Sequence, residues 1–305
     1  MMGAKVAILI FSCGLLARAT AASNVRVDRI LHASRTVSKK FALTRGAKIS
    51  LDTELGNVYV DTYSGDSVEL EGVIIGKSEE DIRKFVIESH CSNNELNITG
   101  KGWENSSELG INIIIYVPQT IDLSELGIVV GMGNIRVSDI KCNSMVVKKN
   151  AGGAWISRVS SKIRIRSNAG DLFLTDVSGD VDGTLSTGDL FGRCLSGTLT
   201  ANVGAGQVDV ALTSSINKVR LITGAGEVHI WIPRELAANL NARTTAEAAE
   251  SMLYHVFFGP AVLFPEISFQ GTVQPHSIIG TINGGGATIK AESALGNVYF
   301  EIERR

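Results

Sequence analysis

The sequence predicts an all-β protein: a parallel, right-handed β-helix-like solenoid of about six rungs of 18–20 residues. A β-rich N-terminal cap containing one short helix should close its first edge. Three observations carry this reading. A motif G-x-Φ-x-Φ, with Φ apolar, recurs at Gly133, Gly152, Gly170, Gly188, Gly206 and Gly226, in steps of 19, 18, 18, 18 and 20 residues. Each repeat holds two segments whose apolar residues alternate with period two, as in strands with one face inward. The 305 residues include 32 glycines but only 5 prolines, and 44% are hydrophobic against 20% charged. That balance excludes a disordered chain and suits short strands joined by tight turns.

The N-terminus comes first. Lys5 precedes Val6 to Ala17, an uncharged run, and Ala19-Thr20-Ala21 follows as a small-x-small cleavage site. Twelve apolar residues are too few to cross a bilayer, which takes about 20. Residues 1–22 therefore read as a signal peptide and 23–39 as a flexible N-terminal segment, so the chain is expected to be exported, to periplasm, cell surface or medium. No later stretch is long and apolar enough to span a membrane.

Residues 40–125 read as the cap. Strands are expected over Leu51 to Val60, Ser67 to Ile75, Leu96 to Ile98 and Ile111 to Val117. Ser78-Glu79-Glu80-Asp81 supplies an N-cap and an acid three residues on, ahead of Ile82, Phe85 and Val86, which predicts a short helix. Such a cap would cover the unpaired edge of the first rung.

Residues 126–233 hold the repeats. The strand after each glycine turns Leu172 and Leu174, for example, inward. The strand before the next glycine supplies pairs such as Met145/Val147, Ile163/Ile165 and Leu199/Ala201. The outward position three after each glycine then carries Arg136, Trp155, Phe173, Phe191, Asp209 and His229. Trp155, Phe173 and Phe191 should stack about 4.8 Å apart as an aromatic strip, the first candidate binding surface.

Residues 234–305 break the period with an alanine-rich stretch that suits a helix and an apolar run, Val256 to Phe264, before closing strands. Leu55-Gly56-Asn57-Val58-Tyr59-Val60 and Leu295-Gly296-Asn297-Val298-Tyr299-Phe300 both echo the repeat motif.

Little here looks catalytic. The five histidines show no metal spacing, and no metal or cofactor is implied. Cys91, Cys142 and Cys194 form no CxxC pair. They read as small buried hydrophobes, with one disulfide and a spare thiol as the alternative in an oxidising compartment. Asp171 and Asp189 follow corner glycines, where aspartate is a common turn residue. A net charge of −2 gives no pull toward nucleic acid. Between Ile140 and Gly170, however, there are seven basic residues and no acid. Lys148, Lys149, Lys162, Arg164 and Arg166 form the second candidate surface, for an anionic partner.

The signal segment, Phe41-x-Leu43-x-x-Gly46-x-x-Ile49, Tyr116-Val117-Pro118, the Gly-[Asn/Asp]-Φ-x-Φ rungs and Gly280-Thr-Ile-Asn-Gly-Gly-Gly286 together resemble the bacterial putative-adhesin β-solenoid domain family. That family is related to head domains of autotransporter-like adhesins, and the resemblance covers residues 40–303. It implies the solenoid fold and brings no catalytic motif. The leading reading is a non-enzymatic exported binding or scaffold module, meeting a glycan, an envelope component, a protein partner or a second copy of itself. The alternatives are a polysaccharide-acting β-helix enzyme and an envelope-stress sensor that binds a partner protein.

Overall fold

The computed structural model describes residues 33–102, 109–244, 256–258 and 267–302. The segment read as a signal peptide lies outside them. The chain opens with strands β1 (Ala33–Phe41), β2 (Lys48–Leu55), β3 (Asn57–Tyr63) and β4 (Val68–Gly76), then helix α1 (Glu79–Lys84). Strands β5 (Val86–Ser92), β6 (Glu95–Lys101), β7 (Gly110–Pro118), β8 (Leu123–Met132), β9 (Ile135–Ser138) and β10 (Lys141–Ala151) follow. Four long strands come next: β11 (Ala154–Ala169), β12 (Leu172–Thr187), β13 (Leu190–Ala205) and β14 (Val208–Ala225). The chain closes with β15 (Val228–Ile232), β16 (Ala238–Thr244), β17 (Val256–Phe258), β18 (Phe269–Gln274), β19 (Ser277–Ile282), β20 (Ala287–Leu295) and β21 (Val298–Ile302). The protein is thus all-β apart from one short helix among the described residues.

Two parallel ladders organise these strands. The ladder before the glycine corner runs β6, β2, β8, β10, then the second halves of β11 to β14, then β20 and β16. The ladder after the corner runs β7, β3, β9, the first halves of β11 to β14, then β15, β21 and β17. Both turn alternate residues into one apolar cluster. Leu172, Leu174, Ile163 and Ile165 are all buried there, which fixes the side-chain register read from the sequence.

The corner explains the glycine. From Gly133 to Gly226 the corner glycines take φ between +98° and +150°, as does Gly56. Each packs directly on the corner of the adjoining strand. A Cβ on Gly170 would lie 2.0 Å from the carbonyl oxygen of Gly152, and one on Gly296 would lie 2.0 Å from that of Gly226. Side chains satisfy the corner on both sides. Inside, buried hydroxyls donate to corner carbonyls: Thr53 to Leu55 O (2.7 Å), Thr223 to Gly206 O (3.0 Å) and Ser293 to Gly226 O (2.8 Å). Outside, the residue after the glycine accepts the backbone N–H of its neighbour in the next repeat: Asn57 from Asn134 (3.0 Å), Asn134 from Gly153 (2.8 Å), Asp171 from Asp189 (2.9 Å) and Asp189 from Gln207 (2.7 Å). Buried backbone groups are therefore paired through the bend, as burial requires.

The two ends of the stack are threaded out of sequence order. β2 and β3 lie between β6/β7 and β8/β9, and β20 and β21 lie between β14/β15 and β16/β17. The two segments that echo the repeat, around Gly56 and Gly296, thus join the corner column itself. Antiparallel strands finish each end: β1 on β4 on β7 and β5 on β6 at one, β16 on β19 on β18 at the other. Helix α1 forms as its cap predicts, with the Ser78 hydroxyl accepting the Asp81 N–H at 3.2 Å and Ile82 buried. Val86 instead begins β5 and is exposed, because the chain becomes extended at Phe85.

Two further expectations need correction. The alanine-rich stretch begins as strand β16, held between β19 and β20, and its remainder lies outside the described residues. Only Cys142 of the three cysteines is buried; Cys91 and Cys194 are exposed, and no disulfide joins the three. Cys194 sits at the second bend with φ +54°, a position held by Asp139, Arg158 and Asp176 in the adjoining repeats. A bend of this kind lies at the surface, which is why the small-hydrophobe reading fails there.

Candidate functional site

The aromatic strip forms as the register requires. Trp155, Phe173 and Phe191 are register partners on β11, β12 and β13 and are each half-buried. Trp155 and Phe173 stack with centroids 5.2 Å apart and planes 2° from parallel; Phe173 and Phe191 follow at 5.0 Å and 13°. These separations match the strand spacing of about 4.8 Å, so each ring lies over the next along the stack. Gly153 makes room for the indole, since a Cβ there would meet it at 2.3 Å. The ring faces between neighbours are spent on one another, which leaves the outer faces of Trp155 and Phe191 at the two ends of the stack. What the strip offers outward is ring edges, which carry the positive side of the aromatic quadrupole.

Polar groups continue the same row at both ends. Arg136 is the register partner of Trp155 on one side, and Asp209 that of Phe191 on the other. Asp209 accepts from Arg193 (2.8 Å) and from the Trp231 indole (2.9 Å). His229 comes next, stacked on Tyr299 at 4.3 Å, with Glu227 3.2 Å from Nε2 and Glu301 3.8 Å from Nδ1. Burial and the nearby Glu227 carboxylate raise the Tyr299 phenol above its ordinary value. The sequence reading missed Tyr299 and Trp231. Tyr299 was within reach, because it stands three after Gly296 in the echoing segment.

The basic run does not form one surface. Lys148 and Lys162 are exposed on the outer face of the first ladder. Lys149 points the other way: it is 3% exposed, and its ammonium donates to the carbonyls of Gly152, Ala169 (3.0 Å) and Gly170 (3.2 Å). Adjacent strand residues face opposite sides, so Lys148 and Lys149 could not both be outward. Lys149 is a corner donor, the counterpart of Thr223 and Ser293. Burial lowers its pKa to about 8, with Asp171 pulling the other way.

Arg164 and Arg166 are outward but share an acid. Asp182 lies 3.6 Å from Arg164 and 3.1 Å from Arg166. The run from Ile140 to Gly170 holds no acid, yet the repeat delivers one from the next strand, where Asp182 is the register partner of Arg164. Three cations outside that run, Lys218, Arg220 and Lys290, are exposed on the same face. The sequence scan overlooked them because Lys290 is far from the other two along the chain.

The arrangement suits contact better than chemistry. Asp171 and Asp189 spend a carboxylate oxygen on backbone N–H groups, and Asp182 is tied to two arginines. No cluster of metal-binding side chains occurs among the described residues, and no helix among them is long and apolar enough to cross a membrane.

Crystal structures that match include a putative adhesin from Parabacteroides distasonis ATCC 8503, at 13% identity over 87% of this chain and 97% of that one, with a TM-score of 0.38. A putative cell adhesion protein from Clostridium sporogenes ATCC 15579 matches at 13% identity over 89% of this chain and 100% of that one, TM-score 0.32. A putative lipid binding protein from Parabacteroides distasonis ATCC 8503 matches at 13% over 87% and 96%, TM-score 0.32. No curated protein matches. The family model for Toastrack DUF4097 matches residues 19–253, from the chain's first tens of residues through the whole run of glycine corners. The chain belongs to the Toastrack DUF4097 family.

Proposed function

We propose that this protein is an exported, non-enzymatic β-solenoid, built on about six rungs of 18–20 residues, that serves as a binding or scaffold module at the cell envelope or surface. The observation that carries the reading is the row Trp155, Phe173 and Phe191, half-buried on the outside of a continuous hydrogen-bonded ladder. A sugar ring stacks on an aromatic face, and the faces between the three rings are already covered. Their free edges favour apolar and aromatic side chains of a protein, including a second copy of this chain. Export rests on Val6 to Ala17 and the Ala19-Thr20-Ala21 site.

Cell fractionation, with binding and self-association measured for Trp155→Ala/Phe173→Ala, tests the proposal. The mature chain should leave the cytoplasm, and the double variant should lose about tenfold or more in association. It should also lose about 1–3 kcal/mol of stability, because two ring stacks vanish. Unchanged association beside that stability loss would return the strip to a purely structural role.

A further inference from the structure

We propose that Lys218, Arg220 and Lys290, on the outer face of the first ladder, form a binding site for an acidic polysaccharide. The site goes beyond the reading above in face, residues and ligand, and rests on it only for the setting in which such a polymer would be met. Arg220 on β14 and Lys290 on β20 are register partners, and Lys218 stands two residues before Arg220 on the same face. Strand geometry places the three cations within roughly 5–8 Å of one another. All three are exposed, and none forms an ion pair among the described residues.

Of the nearest acids two are engaged elsewhere, and the third, the exposed Asp180, stands two strands from Lys218 in its row with Thr198 between them. Glu292, in the next outward row of β20, pairs with Arg243 at 3.2 Å. Asp182, two strands away, is shared by Arg164 and Arg166. Outward arginines elsewhere on the solenoid have partners: Arg193 with Asp209 and Arg158 with Asp139. Like charges placed side by side across strands destabilise a sheet, so an anion settling between Arg220 and Lys290 would relieve a standing repulsion.

The surroundings suit a sugar chain more than a lipid surface. The register neighbours of Lys218 are Thr198 and Thr288, and Arg220 is flanked by Thr200. Lys290 adjoins Asn241 on β16. Hydroxyl and amide groups beside cations can hydrogen-bond the hydroxyls of a polyol while the cations hold its carboxylate or sulfate groups. An interfacial membrane site needs a broad apolar face beside the charges. Here the exposed large hydrophobic in that row is Ile279, one strand past Asn241.

The test measures binding of the full-length protein to immobilised polygalacturonate and dextran sulfate, with neutral dextran and phosphatidylserine–phosphatidylcholine vesicles alongside. Both acidic polymers should bind, neutral dextran should not, and added salt should weaken binding through screening. Lys218→Gln/Arg220→Gln/Lys290→Gln should lose about tenfold in affinity, the sum of three modest exposed contacts. It should melt no lower than the parent, since the repulsion is gone. Lys148→Gln/Lys162→Gln, which removes the same kind of charge elsewhere on this face, should stay within about twofold. Should the triple variant fold poorly, Arg220→Gln alone should lose about two- to threefold. Equal losses in the triple and the Lys148/Lys162 variants would overturn the site, as would binding to the vesicles alone. Failure to bind either acidic polymer while the aromatic strip still mediates association would also overturn it, and would leave the binding-module reading standing.

Discussion

At Lys149 an ammonium group stands where the other corners place a hydroxyl or an apolar side chain. Its three carbonyl contacts replace only part of the lost hydration, and burial brings the pKa from 10.5 down to about 8. The consequence for stability has a definite sign. Below pH 8 the lysine is charged in both folded and unfolded chains, and the folded state carries the full cost. Between pH 8 and 10.5 the unfolded chain binds more protons, so stability rises with pH through that window and then levels off. The rise attributable to this residue is about 3 kcal/mol at most. Denaturant unfolding of the parent and of Lys149→Met across pH 7–11 isolates it, because other lysines and tyrosines cancel in the difference. A flat difference would mean that the ammonium keeps its water.

At the scale of the element, the corner decides what each position tolerates. Gly170→Ala would press a methyl group onto the Gly152 carbonyl at φ +98°, so a loss of at least about 2 kcal/mol is expected. Gly46 also has positive φ, +81°, but open space around it, and Gly46→Ala should cost about 1 kcal/mol. Chemical denaturation of the pair separates backbone strain from steric contact, and equal losses would contradict the stacked column. The corner was legible in the sequence because the glycines keep nearly constant steps and the flanking strands alternate with period two. Trp155, Phe173 and Phe191 followed from the same count, as did the turn role of Asp171 and Asp189. The basic surface was misread because charge was scanned along the chain, whereas Arg164 meets its neighbour Asp182 one repeat, 18 residues, later. Lys149 yields to the same alternation that placed Val147 inside. Fold-level order was less visible: strand patterns at Leu51 to Val60 and near Gly296 give local conformation, and nothing in them states which strands they will pair with.

Across the whole molecule, the most consequential of those pairings are the inserted ones. β2 and β3 have partners on both sides, although they precede every repeat, and β20 and β21 are likewise enclosed although they come last. In a stack threaded in simple sequence order, tension on a terminus would strip the outermost repeat and then the next, each giving way at low load. Here a pull at residue 302 must drag β21 lengthwise out of a slot between two parallel neighbours, breaking two rows of hydrogen bonds together. A pull at residue 33 must do the same to β2, once β1 has peeled from its one neighbour β4. Single-molecule stretching between residues 33 and 302 should show one high-force rupture that releases most of the chain at once. A staircase of weak steps, each about 60 Å for an 18-residue repeat, would show that the ends offer no such lock. A scaffold loaded along its length would draw its mechanical strength from these enclosed strands.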